Sequence, residues 1–308
     1  MVKVDLITGF LGSGKTTFLL NYARYLMRQG ERIGILEYDY GAVNVDMLLL
    51  GQLRGPKCEL EMLAAACDED CLKRRFKTKL IAMAMSGYDR VIIEPSGIFD
   101  MDQFYDTLRD EPLENWYEIG NVITVVSAML ENDIGREADF WLASQAACAG
   151  CVVFSKTQLA TEQELADAKL HLKNAAESIK CKGFATDYLE IDWKELSDDD
   201  YRRLANCGYH IGNYVKTVAG NGSGFDSVSS LKVKDNLEGI KGKIEQLFAG
   251  SYGNVFRVKG FIIDDGGSYQ VNATRNGITI EPISIGQGTV IVIGDSLDKK
   301  AIQELLEQ

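Results

Sequence analysis

The chain opens on a short apolar run, residues 3–8, and meets a glycine-rich turn directly after it. From 16 to 28 the apolar positions change period. Phe18, Leu19, Tyr22 and Leu26 fall on one side of a helix, and Gly30 stands where that helix stops. Further apolar runs at 33–36, 90–94, 121–126 and 151–154 predict four more strands, and helical spacing fills the intervals, notably 70–85 and 161–179. Strands that alternate with helices predict βαβ units and a mainly parallel sheet, an α/β fold. Residues 197–207 predict a short helix with Ser197 as N-cap and Asp200 three positions on. The acidic run from Asp198 to Asp200 is then a first turn that complements the helix dipole, not a metal site.

Past the Gly-rich stretch at 219–224 the pattern changes. A helix is predicted over 236–248, then strands over 254–264, 268–273, 277–282 and 289–294, then a last helix over 296–307. Consecutive strands flanked by helices predict a small α+β domain. The expected organisation is a first domain over 1–219 and a second over 220–308.

A length of 308 residues suits two domains, and 46% hydrophobic with 25% charged residues is an ordinary globular composition. The formal net charge of -12 repels a phosphate backbone, so nucleic acid is not an expected partner. No run reaches the roughly 18 apolar residues of a membrane span, and the first eight residues are too short and polar for an export signal. A cytoplasmic location with no membrane partner is expected. Seven cysteines, an odd number in such a chain, argue against a disulfide framework. Both histidines, His171 and His210, lack a ligand partner at helical spacing and are expected to be structural or surface residues.

The chemistry is concentrated at the first turn. Residues 9–16 fit G-x-x-x-x-G-K-S/T in full, between a strand and a helix. Gly9, Gly12 and Gly14 let backbone N–H groups converge on an anion, and Ser13 lies among them. The helix beginning near Thr16 and Thr17 points its N-terminus at the same place. Lys15 brings a mobile positive charge to the β- and γ-phosphates, and the Thr16 hydroxyl reaches Mg²⁺. A dinucleotide fingerprint is excluded, because no third glycine follows Gly14 at the required spacing. Residues 91–94 form an apolar strand that ends in Glu94, and a strand beside the phosphate loop delivers an acid to the Mg²⁺ shell.

The run from Ile7 to Thr17 resembles the phosphate loop of the CobW-like GTPases, relatives of HypB and UreG. Four more segments agree: residues 37–46, residues 94–97, residues 145–159 and residues 257–261. The resemblance implies a Mg²⁺-dependent nucleoside triphosphatase that works as a slow switch in metal delivery or in supporting a metal- or corrinoid-dependent client enzyme. It implies phosphate contacts from Lys15, Mg²⁺ contacts from Thr16 and Glu94, and a nucleotide-sensitive loop carrying Glu37 and Asp39, with Asp39 placed beside Lys15 and Glu94 in the catalytic set. Base recognition falls on Ser155, Lys156 and Gln158, where the family pattern has Asn-Lys-x-Asp. An amide at 158 loses a charge-assisted acceptor, so GTP and ATP both stay open as substrate. The family's Cys-x-Cys-Cys motif is best matched by Cys67 and Cys71, with Glu69 and Asp70 between. A mixed site drawing on Cys58, Cys67, Cys71 and Glu37 would take Zn²⁺ or another divalent transition metal; ordinary free cysteines are the alternative. Cys148 and Cys151 fall where the resemblance places packing residues. Two other classes share the phosphate loop, a non-catalytic nucleotide-binding adaptor and a small-molecule kinase. The one basic cluster near the site, Lys73, Arg74 and Arg75, reads as a solvated helix face rather than a kinase lid.

Overall fold

The computed structural model describes residues 1–39, 45–64, 69–182, 184, 187–216, 225–230, 233, 235–264, 266–283 and 288–307. The chain divides into two compact units, one built from Met1–Tyr40 with Asp46–Ala219 and one that includes Gly220–Gln308.

The first unit runs β1 (Val2–Thr8), α1 (Lys15–Arg28), β2 (Ile33–Asp39), α2 (Val45–Leu50), β3 (Cys58–Ala64), α3 (Glu69–Met85), β4 (Arg90–Pro95) and α4 (Met101–Leu108). It continues through β5 (Tyr117–Ser127), α5 (Arg136–Cys148), β6 (Cys151–Ser155), α6 (Glu162–Ser178), β7 (Tyr188–Leu189) and α7 (Asp198–Leu204). The seven strands stand in the order β3-β2-β4-β1-β5-β6-β7, and every pairing is parallel. Helices cover both faces, so all six residues of β4 are buried and the strand reads as a continuous apolar run. On one face Leu6, Leu36, Tyr38 and Ile93 pack with Phe76 of α3 and Phe104 of α4. On the other, Ile35, Ile92 and Ile123 pack with Phe18 and Tyr22 of α1 and Leu204 of α7.

The strands expected at 33–36, 90–94, 121–126 and 151–154 all form. β3 was not anticipated. It lies at the sheet edge, and Cys58-Glu59-Leu60-Glu61 alternates apolar with charged residues as a half-exposed strand does. The expected N-cap of α7 is present as a reciprocal box. The Asp200 N–H donates to Ser197 Oγ at 3.3 Å, and the Ser197 N–H donates to Asp200 Oδ2 at 2.9 Å.

The second unit carries β8 (Phe225–Ser230), α8 (Leu237–Phe248), β9 (Asn254–Asp264), β10 (Gly267–Thr274), β11 (Gly277–Ile283), β12 (Thr289–Asp295) and α9 (Lys299–Glu307). Its sheet has the order β11-β10-β9-β12-β8 and is antiparallel throughout. Val258, Ile262, Val290 and Val292 pack with Ile240 and Ile244 of α8 and with Ile302 and Leu306 of α9.

One ionic node sits under the first sheet's centre. Asp5 on β1 has no exposed surface. It accepts from Tyr22 Oη at 2.7 Å, from Arg90 Nη1 at 2.6 Å, and from the backbone and side-chain N–H groups of Asn121 at 2.9 Å each. Arg90 turns its Nε toward Glu31 at 2.7 Å. A buried pair adds little net stability, but removing one partner strands the other charge. Asp5→Asn is therefore expected to lower the unfolding free energy by about 3 kcal/mol, read from urea unfolding curves. A loss within error of zero would show that the node is dispensable.

Candidate nucleotide site

β1 stops at Thr8 because the chain must turn sharply beside β5. A Cβ on Gly9 would stand 2.2 Å from the Val125 carbonyl oxygen and 2.7 Å from Ser13 Oγ, so no other residue fits there. The loop closes at Gly14, the left-handed N-cap of α1, with φ of 98°. Lys15 and Thr16 open the helix, and its N-terminus faces the loop, an arrangement that suits an anion. Lys15 is buried, and its Nζ donates to the Gly9 carbonyl at 3.0 Å. Ser13 Oγ is buried without a hydrogen-bond partner. Such an atom costs about 1–3 kcal/mol and suits an incoming phosphate oxygen. Thr17 points outward and is exposed.

The acid arrives from β4, which lies next to β1. Thr16 Oγ1 donates to Glu94 Oε1 at 2.7 Å. β2 sits on the far side of β4, and its register places Glu37 opposite Glu94. Both carboxylates are buried, and both alternate onto the face that α1 covers, with Ile35 and Ile92. A hydroxyl and two carboxylates are hard oxygen donors, the set that suits Mg²⁺. Asp39 ends β2, and its side chain lies outside the described residues.

The turn after Glu94 is fastened to the loop. A Cβ on Gly97 would meet the Leu11 backbone nitrogen at 2.6 Å. Gln145, a fully buried residue of α5, donates its Nε2 to the Gly97 carbonyl at 3.0 Å. Sequence reasoning gave Gln145 no role. Its only signal is an amide between apolar neighbours in Trp141–Cys148.

At the third corner, β6 ends at Ser155, whose Oγ reaches the Val126 carbonyl at 3.4 Å. Lys156 follows with φ of 60°, and Gln158 is exposed in the next turn. Trp193, also not anticipated, lies against this corner. Its Nε1 donates to the Phe154 carbonyl at 3.0 Å, and its ring meets Phe18 edge-on at 5.5 Å.

The proposed soft-metal set is not brought together as expected. Cys67 lies outside the described residues, as do the side chains of Glu69 and Asp70. Cys71 is the third residue of α3 and is partly exposed. Cys58 is a correction. It pairs with Ile33 at the start of β3, while Glu37 pairs with Met62 four residues on, about 13 Å further along the strand. It is a buried core residue, and burial pushes its thiol up to about 11. Among the described residues no group of three His, Cys, Asp or Glu could hold a metal ion. Cys148 and Cys151 are buried, with thiols pushed up by burial to about 11 and about 12, as packing residues. His171 Nε2 contacts Asp139 Oδ1 at 2.7 Å, and His210 is exposed. Lys73, Arg74 and Arg75 are exposed on α3. No helix among the described residues is long and apolar enough to cross a membrane.

The family model for the CobW/HypB/UreG nucleotide-binding domain matches residues 3–181. The zinc chaperone YjiA of Escherichia coli K12 is 27% identical over 201 residues, covering 62% of this chain and 59% of its own length. The zinc-regulated GTPase metalloprotein activator 1 of Schizosaccharomyces pombe is 26% identical over 171 residues, covering 53% of this chain and 41% of its own. This chain thus spans about half the length of the curated relatives it matches. The solved structure of the Zn(II)-bound YjiA GTPase from E. coli aligns over 99% of this chain and 97% of that one, with a TM-score of 0.37 and 18% identity.

A thiol near 11 holds about one thiolate in a thousand at pH 8, and only the thiolate is alkylated. Iodoacetamide at pH 8 under native conditions is expected to label Cys71 and spare Cys58, read by peptide mass spectrometry. Equal labelling rates would refute the placement of Cys58 in the core.

Proposed function

The chain belongs to the CobW/HypB/UreG family, and from that premise we propose that it binds GTP or ATP with Mg²⁺, hydrolyses it slowly, and uses the cycle to handle a divalent transition metal for a client metalloenzyme. The observation that carries this reading is the 2.7 Å contact between Thr16 Oγ1 and Glu94 Oε1. It joins the phosphate loop to a buried acid on the neighbouring strand, the pair that an oxygen-seeking cation beside a triphosphate requires.

The residues act in a definite order. Lys15 spends its charge on the Gly9 carbonyl. A triphosphate on the loop replaces that carbonyl with β- and γ-oxygens, which bind an ammonium more strongly because they are charged. Ser13 Oγ gains a partner. Thr16 and Glu94, with Glu37 opposite it on β2, would hold Mg²⁺. Mg²⁺, when bound, neutralises charge that develops on the transferred phosphoryl group. Glu37 and Asp39 lie on β2, the nucleotide-sensitive element in this reading, and Asp39 is the candidate to orient the attacking water. Gly97 packs on Leu11 and is tied to Gln145, so a shift of the loop is felt in α5. These are the parts of an order–disorder or loop switch.

The metal is cargo in this reading. Its ligands are proposed as Cys67 and Cys71 with carboxylates near them, at the start of α3. Binding at one site then changes affinity at the other by the same factor.

Lys15→Ala is expected to abolish calorimetric binding of GTP and ATP in the presence of Mg²⁺ while leaving the thermal unfolding curve in place. Equal affinity in variant and wild type would sink the nucleotide reading. For the cargo site, a Cys67→Ser/Cys71→Ser double variant is expected to bind Zn²⁺ at least tenfold more weakly than wild type, about 1.4 kcal/mol. Thiolate ligation releases protons, so wild-type affinity should fall as pH drops. Identical Zn²⁺ titrations of the two proteins, with and without nucleotide, would remove the metal role from this segment.

A further inference from the structure

The corner of the site that would meet a base carries Ser155 and Gln158 where the family pattern has Asn and Asp. Ser155 is short and spends its hydroxyl on the Val126 carbonyl, and Gln158 carries no charge. The same corner carries a large ring. Trp193 Cη2 lies 3.3 Å from the point where a Cβ on Gly14 would stand, Cζ3 lies 3.7 Å from it, and Ser155 Cβ lies 3.7 Å from the same point. The indole therefore touches the last glycine of the phosphate loop and the end of β6 together. Its position is fixed from two more sides, by the hydrogen bond to Phe154 and the edge contact with Phe18. Gly14 is thus constrained twice, by its φ of 98° and by the ring that occupies its side-chain space.

Trp193 packs at the border of the core on the α1 face of the sheet. Trp141 is 3% exposed, whereas Trp193 is only partly buried. A partly buried indole thus lies beside Gly14, the N-cap of the helix that Lys15 and Thr16 open. A triphosphate seated on that end directs its ribose and base away from Lys15, past Gly14, toward the turn at Lys156. Stacking serves every base alike, because each has a π-face, whereas edge hydrogen bonds discriminate. A site that lacks the charged base-reading Asp and holds a fixed ring suits the first mode.

We propose that Trp193 is the stacking wall of the base subsite, and that this protein holds purine nucleoside triphosphates by the face of the base with little choice between guanine and adenine. The proposal rests on the nucleotide-binding reading above and adds the element that binds the base.

The test uses the full chain, with GTP, ATP and inorganic tripolyphosphate as probes. In wild type, GTP and ATP are expected to change Trp193 fluorescence and tripolyphosphate to leave it unchanged. Trp193→Phe keeps a stacking ring but loses the hydrogen bond to Phe154, so the fluorescence change should disappear while GTP and ATP are weakened alike and by less than in Trp193→Leu. Trp193→Leu is expected to weaken GTP and ATP alike by roughly five- to a hundredfold, with tripolyphosphate affinity unchanged. If that variant fails to fold, the wild-type and Trp193→Phe comparison decides. Nucleotide binding without a fluorescence change, equal responses to nucleotide and tripolyphosphate, or a loss confined to one base would overturn the stacking wall. No binding of any nucleotide by folded wild-type protein would overturn the nucleotide reading itself, a distinct outcome.

Discussion

A single buried carboxylate moors both ends of the phosphate loop. Asp5 lies three residues before Thr8, where β1 gives way to the loop, and Tyr22, which donates to it, lies in the helix that leaves the loop. Arg90 and Asn121 bring in β4 and β5, the strands on either side of β1. An ionised group taken out of water is costly unless every lone pair is used, and here several donors from three elements satisfy it. The loop therefore leaves and re-enters a fixed frame, and its own glycines can be spent on closeness rather than on holding position.

That closeness is what makes the site. Gly9 abuts the Val125 carbonyl and Gly97 abuts the Leu11 nitrogen, at distances no Cβ tolerates. The loop is held against β5 on one side and against the turn after Glu94 on the other. Charge is arranged with equal economy. The protein carries a net charge of -12, yet the loop presents backbone N–H groups, a helix N-terminus and Lys15 to one small volume. Beside it, Glu37 and Glu94 stand on adjacent strands about 4.8 Å apart, an arrangement that a cation relieves and a neutral environment does not. Anion-seeking and cation-seeking groups meet at Thr16, which belongs to the helix end and bonds the acid.

Much of this was legible in the chain. The apolar run at 3–8, the helical period after it and the loop between them depend on contacts a few residues apart, and such contacts are written in the local order of residues. The same holds for the capping box at Ser197 and Asp200, where donor and acceptor lie three positions apart. Four of the five strands of the second unit, β9 to β12, were also visible, since hairpins join neighbours in sequence, whereas β8 was not expected. β3 escaped notice because an edge strand alternates and lacks the continuous apolar run of its buried neighbours.

What only the tertiary structure decided was which strand lies beside which, and in what register. Nothing near Cys58 in sequence says that it begins a strand at the end of the sheet away from the loop. The register of β2, β3 and β4 placed Cys58 in the core and Glu37 opposite Glu94. Likewise Gln145 and Trp193 are unremarkable where they occur, and become neighbours of Gly97 and Gly14 only once helices cross over parallel strands. Parallel pairing joins segments far apart in the chain, so its partners are chosen by the packing of whole layers. The sequence by itself determined the phosphate loop, because eight consecutive residues carry it. The pairing of Glu37 with Glu94, the core placement of a supposed ligand and the ring beside Gly14 were decided by the sheet.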